Sequence, residues 1–592
     1  MIGRIEMKRK VTLLAAALIL VLLGSMLSNA IDTDFGSVDT QRLYLVNDNG
    51  YTVTVNLFVP KSATADTPAP AMIIVPGGDC PSDIGSPWAT ELARRGFVVA
   101  LMDYSGCGDT EVDPTSQYWT NNGAMELDTA YDYIAALDFV DAENIGVGGH
   151  SMGSLYSYRL STKRPVKLVI SDVLYADALP EYDFNFVQIS AEHDEGLLAR
   201  LAQFEDMYSD AFLCSVFGVD QIVPNTLYGS WENNTARVFY TLNQTHQDDM
   251  ISGPFISLVA RSAMDAMDAP NPLPENDLIY GWKIVAHILM VIGLVAALFA
   301  LGGILVDSSL FESLKLQAAE KTVGFRYGSR AWWITAVILT LIPVVFFFPG
   351  TATGNKMASN ALFQLGTTPN GYLVWTLFSA AALLVFFLVF HFCFGKKQGA
   401  AAKAYGAATS DDGGFRFGYI VKSAVLAFIL FMFAYYVLLL IYRYANTDIH
   451  IWTNSLRPLN SARAATFPWY FIGLLPYFAM SMLCGNALDF GESRKGMIKS
   501  ILLGTLVSLA GMILLLAFHE ISLRLNRPFY TGNFAHFYLS LLTNLLPQFG
   551  IASALSIYLR KKTNSIYPGI FLGTAMLAFG MVSTNCVAMV IS

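Results

Sequence analysis

The sequence predicts an α/β fold, a mostly parallel sheet with helices on both faces, followed by an all-α membrane domain of about eight transmembrane helices. In the first half, short apolar runs alternate with helical patterns, as in parallel strands buried on both faces. In the second half, long apolar runs are separated by short basic loops. With 54% hydrophobic and 14% charged residues, the chain is too apolar for a soluble enzyme of 592 residues.

The first apolar run, residues 11–27, follows a basic stretch and precedes Ala30. It fits a signal anchor or a signal peptide cleaved after Ala30, so residues 1–30 are expected to be one of these. Both alternatives place an extracytoplasmic domain at residues 31–267. A proline-rich segment, residues 268–280, is expected to link it to the membrane domain, residues 281–592.

The extracytoplasmic domain opens with two runs that read as paired strands around the turn at residues 47–50. Strand and helix patterns then alternate. The predicted strands are, in order, "AMIIV", "FVVALMDYSG", "NIGVGG", "KLVISDVL", "FNFVQISA" and "ARVFYTL". Helical patterns lie between the first four of them, which predicts crossover connections and a parallel sheet.

Eight further apolar runs are long enough to cross about 30 Å of hydrocarbon, which makes nine spans if the first run is retained. Basic residues are more numerous in the loops that this alternation places inside, such as 396–416 and 560–562, than in those it places outside. Because short cytoplasmic loops carry an excess of Lys and Arg, we expect a multi-pass protein of the cytoplasmic membrane with its N-terminus inside and its C-terminus outside.

Residues 31–280 hold 36 acidic and 11 basic side chains, which argues against nucleic acid as a partner. Protein partners are not indicated. Among the six cysteines, Cys80 and Cys107 could pair in an oxidising compartment, and Cys586 reads as a small residue of an apolar span.

The stretch "GHSMG" places Ser151 between a predicted strand and a predicted helix, where a nucleophile elbow must lie. A serine needs a base, and the base needs an acid. His246, after the last strand, is the predicted base, whereas His150 and His193 are not. Asp194 is the predicted acid. Asp172, one strand earlier, stays the alternative.

An oxyanion must be bound by preorganised N–H groups. The amide of Met152 follows the nucleophile and is the first predicted donor. The second should come from the glycine turn after "AMIIV", where Gly78 is favoured and Asp79 is next. No cofactor or metal set is recognised.

The motifs "VPGGD", "RRGFVVALMDYSGCGDT", "VGGHSMGS", "ISAEHDEG" and "TH" resemble the α/β-hydrolase superfamily, especially dienelactone hydrolases and prolyl oligopeptidase-type domains. The resemblance covers about residues 45–250 and implies a Ser151–His246–Asp194 triad. Pro76 stands where the family has histidine, and Ser105 where it has arginine, so the loop contacts of those two residues are in doubt. An insert at residues 207–234 is either a lid or a helix pair on the sheet edge.

These features together predict a membrane-bound serine hydrolase that cleaves an ester, or a peptide or amide, of a small molecule outside the membrane. Two alternatives stay open. One is a transporter or sensor whose hydrolase-like domain binds a ligand without turnover, and the other is an acyltransferase with the same triad.

Overall fold

A nine-stranded sheet lies between two sets of helices in the computed structural model, which describes residues 2–114, 126–173, 183–319, 323–357, 359–451, 453–491, 493–529 and 535–587. The strands of this sheet are β1 (Val38–Val46), β2 (Thr52–Pro60), β3 (Ala69–Val75), β4 (Val98–Met102), β5 (Val140–His150), β6 (Leu168–Asp172), β7 (Asn185–Ala191), β8 (Leu227–Tyr228) and β9 (Arg237–Leu242).

Helix α1 (Ile2–Asp32) precedes the sheet. The helices within the sheet region are α2 (Ser86–Arg94), α3 (Leu127–Ala135), α4 (Met152–Ser161), α5 (Glu195–Leu198), α6 (Ala211–Phe217) and α7 (Gly253–Ala266). The later helices are α8 (Gly281–Val306), α9 (Arg330–Val345), α10 (Phe347–Gly354), α11 (Thr367–Phe390), α12 (Phe417–Tyr444), α13 (Ser461–Cys484), α14 (Arg494–Arg524), α15 (Ala535–Ser540), α16 (Leu542–Thr563) and α17 (Tyr567–Thr584).

The strand order of the sheet is β1-β2-β4-β3-β5-β6-β7-β9-β8. The five neighbouring pairs from β4-β3 to β7-β9 are parallel, whereas β1-β2, β2-β4 and β8-β9 are antiparallel. The predicted mostly parallel sheet is confirmed. Because parallel strands share a direction, the loops after β3, β4, β5, β7 and β9 meet at one edge.

Both faces of the sheet are covered, as its continuous apolar strands require. Helices α2 and α7 contribute Trp88 and Phe255 to the core on one face, where their rings lie 5.4 Å apart. Helices α3 and α4 contribute Leu127 and Tyr156 to the core on the other face. Residues 115–125 and 174–182, part of the predicted helix before β5 and the end of "KLVISDVL", lie outside the described residues.

The insert at residues 207–234 packs on the edge of the sheet, one of the two expected arrangements. Helix α6 and strand β8 both place aromatic rings against this edge. The ring centroid of Phe217 in α6 lies 6.0 Å from that of Tyr228 in β8 and 6.5 Å from that of Phe239 in β9. These T-shaped and tilted contacts are typical of a buried aromatic cluster. The lid alternative finds no support in this packing.

Nine helical segments of the described residues are long and apolar enough to cross a membrane. They coincide with the nine predicted spans: Ile5–Asp32, Gly281–Val306, Arg330–Gly354, Thr367–Gln398, Phe417–Tyr444, Ser461–Ala487, Arg494–Arg524, Leu542–Thr563 and Tyr567–Thr584. In α9, the buried Trp332 contacts Trp333, whose side chain is 55% exposed.

Two more strand pairs connect the helical half at its opposite ends. Strand β11 (Ile449–Ile451) pairs with β12 (Asn454–Leu456) in the segment before α13. Strand β10 (Phe325–Arg326) pairs with β13 (Leu488–Asp489) in loops that were predicted to be cytoplasmic.

The disulfide that was considered possible between Cys80 and Cys107 is not formed. Cys107 forms a disulfide with Cys586, whose Cα atom lies 4.3 Å away, and Cys80 is free. The expectation failed because the loop after β4 turns toward the end of α17, 479 residues later in the chain. Cys586 is therefore not a small residue within an apolar span, but a covalent tie between the two halves.

Candidate functional site

Ser151 lies at the turn between the end of β5 and the start of α4, with φ 53° and ψ −118°. A positive φ is strained for a residue with a Cβ atom. The turn is tight enough that a Cβ atom on Gly149 would overlap the backbone of Gly153. Both glycines are therefore required by close approach, and the strand–turn–helix geometry is that of a nucleophile elbow.

His246 and Asp194 lie together at the carboxyl edge of the sheet. His246 Nδ1 is 2.9 Å from Asp194 Oδ2, and both side chains are buried. The other carboxylate oxygen of Asp194 accepts a hydrogen bond of 2.8 Å from Leu197 N, which caps α5. Asp194 is thus held on both sides, and its contact with Nδ1 leaves Nε2 as the ring nitrogen available to a substrate or nucleophile.

Charges around the pair shift the pKa values of both residues. Burial lowers the pKa of His246, but the negative charges of Asp194 and Asp172 outweigh burial and place it well above the usual value. Burial raises the pKa of Asp194, but the charge and hydrogen bonding of His246 and the backbone N–H groups of α5 give a net decrease. The pair therefore favours an ionised Asp194 beside the imidazole.

Asp172 lies farther from the base than Asp194 does. Its Oδ2 is 3.6 Å from His246 Nδ1, and 3.2 Å from His150 Nε2. Burial, followed by the charge of Asp249, raises the pKa of Asp172 well above its usual value. Because Asp194 Oδ2 lies closer to His246 Nδ1 than Asp172 Oδ2 does, the geometry favours Asp194 over the alternative.

Sequence analysis missed two further buried acids beside His246. Asp249 Oδ2 lies 3.6 Å from His246 Nδ1, and burial raises its pKa to about 6. Glu195 is also buried, and burial raises its pKa to about 7. Glu195 directly follows Asp194, and Asp249 lies three residues after His246. These positions were the only signal in the sequence that the two acids could lie at the site. It was hidden by the many other acidic residues of this half.

His150 lies directly beside His246. Its ring stacks on that of His246 with 4.3 Å between centroids. Burial and the adjacent His246 lower the pKa of His150 well below its usual value. His193 bridges Asn526 and Asn243, with hydrogen bonds of 3.0 and 3.1 Å. His150 is thus held by contacts within the sheet half, and His193 by a contact with the helical half.

The glycine turn after β3 faces the elbow. A Cβ atom on Gly78 would lie 3.7 Å from Met152 Sδ, so the two predicted donor residues are neighbours. Asp79 N donates a 2.8 Å hydrogen bond to Tyr104 Oη, and that hydroxyl donates to Gly77 O at 2.8 Å. Because the Asp79 amide already has a partner, Gly78 is the better second donor.

Two groups of side chains in the described residues could hold a metal ion, although the sequence indicated none. One consists of His150, Asp172, His246 and Asp249, and the other of His287, Asp448 and His450. In the second group, His287 Nδ1 accepts a 3.3 Å hydrogen bond from His450 N, which leaves the proton on Nε2 and makes this imidazole a poor ligand.

The helical half contacts the edge of the sheet that carries the site. Cys586 N donates a 2.9 Å hydrogen bond to Asp79 Oδ1, and Val587 N donates one of 2.8 Å to Gly106 O. Tyr442 Oη donates to Asp109 Oδ2 at 2.6 Å. The loops after β3, β4 and β7 are therefore all attached to the helical half.

Residues 72–278 match the model of the alpha/beta hydrolase family. An uncharacterized protein of Pseudomonas aeruginosa is 27% identical over 140 residues, which is 23% of this chain and 38% of that protein. The chain thus spans well under half the length of this curated relative.

Two solved structures are similar to part of this chain at low identity. An esterase of Pyrococcus furiosus is 12% identical, with 40% of this chain and 96% of that chain covered and a TM-score of 0.28. A bacterial heroin esterase is 15% identical, with 39% and 84% covered and a TM-score of 0.28. By their match to the family model, residues 72–278 of this chain are an alpha/beta hydrolase family domain, and a largely helical region with long apolar helices follows it.

Proposed function

We propose that this chain is a membrane-bound serine hydrolase that cleaves an ester bond of a small-molecule substrate outside the cytoplasmic membrane. Ser151 is the nucleophile, His246 the base and Asp194 the acid that orients it. The amides of Met152 and Gly78 bind the oxyanion. The proposal rests on one observation above all: a serine on a strained elbow shares the sheet edge with a buried histidine 2.9 Å from a carboxylate.

The reaction follows from these positions. His246 Nε2 takes the proton of Ser151 Oγ as that oxygen attacks the substrate carbonyl, and Asp194 stabilises the imidazolium through Nδ1. The two amides stabilise the negative charge on the carbonyl oxygen. The imidazolium then gives its proton to the leaving alcohol. Water, deprotonated by the same imidazole, releases the acyl group from Ser151.

The contact between His246 and Asp194 bears on the non-catalytic alternative. A domain that only binds a ligand has no need of an acid within 2.9 Å of a buried base. It also has no need of the backbone strain at Ser151, which costs about 1–3 kcal/mol. We therefore keep hydrolysis as the proposed reaction.

A fluorophosphonate probe tests the nucleophile. The wild-type protein, purified in detergent, should be labelled and should hydrolyse p-nitrophenyl acetate. Ser151→Ala should lose the label and about 10⁴-fold or more in kcat. Ser215→Ala, at an exposed serine of α6, is the matched control and should keep both. Labelling that persists in Ser151→Ala would sink the proposal.

The orientation has a separate test, in a background with Cys393, an exposed cysteine, replaced by serine. Lys356→Cys lies in a loop that we place outside, and Lys397→Cys in one that we place inside; both positions are exposed. An impermeant maleimide applied to intact cells should label the first variant alone. The reverse pattern would place the hydrolase domain in the cytoplasm.

A further inference from the structure

Asp103 joins the two loops that surround the proposed oxyanion site. Its Oδ1 accepts a 2.6 Å hydrogen bond from Ser82 N, in the segment that follows Gly78. Its Oδ2 accepts a 3.3 Å bond from Asp109 N, in the loop after β4. Asp103 is fully buried, so it needs a positive partner. The motif of the resembling family has an arginine two residues after this aspartate, but this chain has Ser105.

An arginine from the helical half pairs with this aspartate. Arg457, between β12 and α13, places Nη1 2.7 Å from Asp103 Oδ2 and Nη2 3.2 Å from Ser82 Oγ. Its Nε donates to Asp83 Oδ2. The guanidinium group of Arg457 therefore binds Asp103 after β4 and both Ser82 and Asp83 after β3. The side chain of Arg457 is only 2% exposed.

Arg457 is itself fixed by the helical half. Its backbone N donates a 2.6 Å hydrogen bond to Ser583 Oγ, and Ser583 Oγ lies 2.7 Å from Arg457 O. Ser583 lies in the last turn of α17, three residues before Cys586. The arginine thus stands on the same helix end that carries the disulfide to Cys107 and the hydrogen bond to Asp79.

The close packing of this contact needs a glycine in the loop. A Cβ atom on Gly108, whose φ is 51°, would overlap both Asp103 Oδ2 and Arg457 Nη1. Burial raises the pKa of Asp103, but the charge and hydrogen bonds of Arg457 outweigh burial and lower it. The loop, the carboxylate and the guanidinium are therefore matched in shape and in charge.

We propose that Arg457 is a positioning residue of the hydrolase, supplied by the helical half, which holds the loop of Gly78 so that its amide meets the oxyanion. This inference rests on the proposed function. It assigns the second half a part in catalysis beyond anchoring, because Arg457 is a positive partner of the buried Asp103 and also binds Ser82.

The test uses the full chain in detergent with p-nitrophenyl acetate. Arg457→Ala should lower kcat about 100-fold, as expected when an oxyanion donor is displaced, while KM changes little. Arg457→Lys keeps the charge but loses the planar fork, and should lower kcat about tenfold. The acidic limb of the pH profile should not move, because Arg457 has no contact with His246. Arg443→Gln, at an exposed arginine of α12, is the control.

Two measurements separate positioning from misfolding. Mass spectrometry without reductant should find the Cys107–Cys586 disulfide in each variant. Added guanidinium should restore part of the kcat of Arg457→Ala, whereas methylammonium should not. If Arg457→Ala lacks the disulfide, the kcat of Arg457→Lys is the test instead. A lowered kcat in Arg457→Lys would support the proposal, and a wild-type kcat would overturn it.

The inference is overturned if disulfide-bonded variants keep the wild-type kcat, or if activity falls without any rescue by guanidinium. Failure of the proposed function would look different, because the wild-type protein would then show no turnover that depends on Ser151. The two ideas therefore fail in separate experiments.

Discussion

The two halves of this chain differ in how much apolar surface they leave exposed. In the sheet half, Val147 and Ile170 are completely buried, and helices cover both faces. In the helical half, the buried share of the most apolar stretch ranges from 11% in α14 to 83% in α17, and Leu514 of α14 is 68% exposed. Apolar surface is expelled from water in both cases, but we expect lipid to cover the second half where protein covers the first.

The two halves also differ in the roles we propose for them, since one carries the triad and the other holds the loops around it. The proposed triad lies wholly in the sheet half, whereas Arg457, Cys586 and Val587 contact its loops from the helical half. If this division of roles is right, changes at the triad should abolish the reaction. Changes at the junction, where Arg457, Cys586 and Val587 contact the loops of the sheet half, should weaken the reaction or destabilise the fold. Changes on the outer face of the helices should have little effect.

The largest effect is expected at the acid. Asp194→Asn should lower kcat by about 10⁴-fold, because the amide cannot hold the proton on Nδ1 of His246. Asp172→Asn should lower kcat less than about tenfold, because Asp172 Oδ2 lies farther from His246 Nδ1 than Asp194 Oδ2 does. Steady-state kinetics with p-nitrophenyl acetate measure both. A larger loss in Asp172→Asn would exchange the roles of the two residues.

The next effect is expected where the halves are joined. Cys107→Ser together with Cys586→Ser removes a cross-link between residues far apart in the chain, which should destabilise the protein by about 4 kcal/mol. Thermal unfolding of the purified protein measures this loss. Cys393→Ser, at an exposed cysteine, is the control. An unchanged melting temperature in the double variant would show that the junction is stable without the disulfide.

The turn at Ser151 and the contact between His246 and Asp194 were predictable because their signals are local. The pattern around Ser151 requires a strand before it and a helix after it, and His246 and Asp194 each follow a strand that ends at the same edge. The junction gave no local signal. Arg457 meets Asp103 across 354 residues, and no periodicity or spacing connects positions that far apart. The Cys107–Cys586 pairing was missed for the same reason.

A smaller effect is expected from the pH dependence of stability. Burial raises the pKa of Glu195 from its usual 4.5 to about 7. A raised folded-state pKa means that the folded protein binds this proton more tightly. The contribution of Glu195 to stability is therefore present below pH 4.5 and is lost as the pH rises through about 7, a change on the order of 3 kcal/mol.

Glu195→Gln removes this ionisation and should raise the melting temperature at pH 8 relative to the wild type, with little change at pH 4. Asp194, His246 and Ser540 face the same carboxyl group, so the comparison is best made between melting curves of the two proteins at each pH. Glu192→Gln, at a neighbouring residue that is only partly buried, is the control. A wild type and a Glu195→Gln variant with parallel pH profiles would contradict the prediction.

The smallest effect is expected on the outward face of α14. Leu514→Ala should change stability by less than about 0.5 kcal/mol, because its side chain is exposed and leaves no cavity in the protein. Val147→Ala in β5 should cost about 2 kcal/mol, because it opens a cavity between sheet and helix. The free energies of unfolding of the two variants should be measured by denaturation in the same detergent.

Leu514→Arg then tests what covers that face. In a bilayer, an arginine at the middle of a span costs about 2.5–3.5 kcal/mol, whereas on a surface that faces water it costs almost nothing. Insertion of the variant into membranes, measured as the amount of full-length protein recovered there, should therefore fall in Leu514→Arg and stay constant in Leu514→Ala. Equal recovery of both variants would mean that α14 does not face lipid, and that the two halves do not differ in what covers their apolar residues.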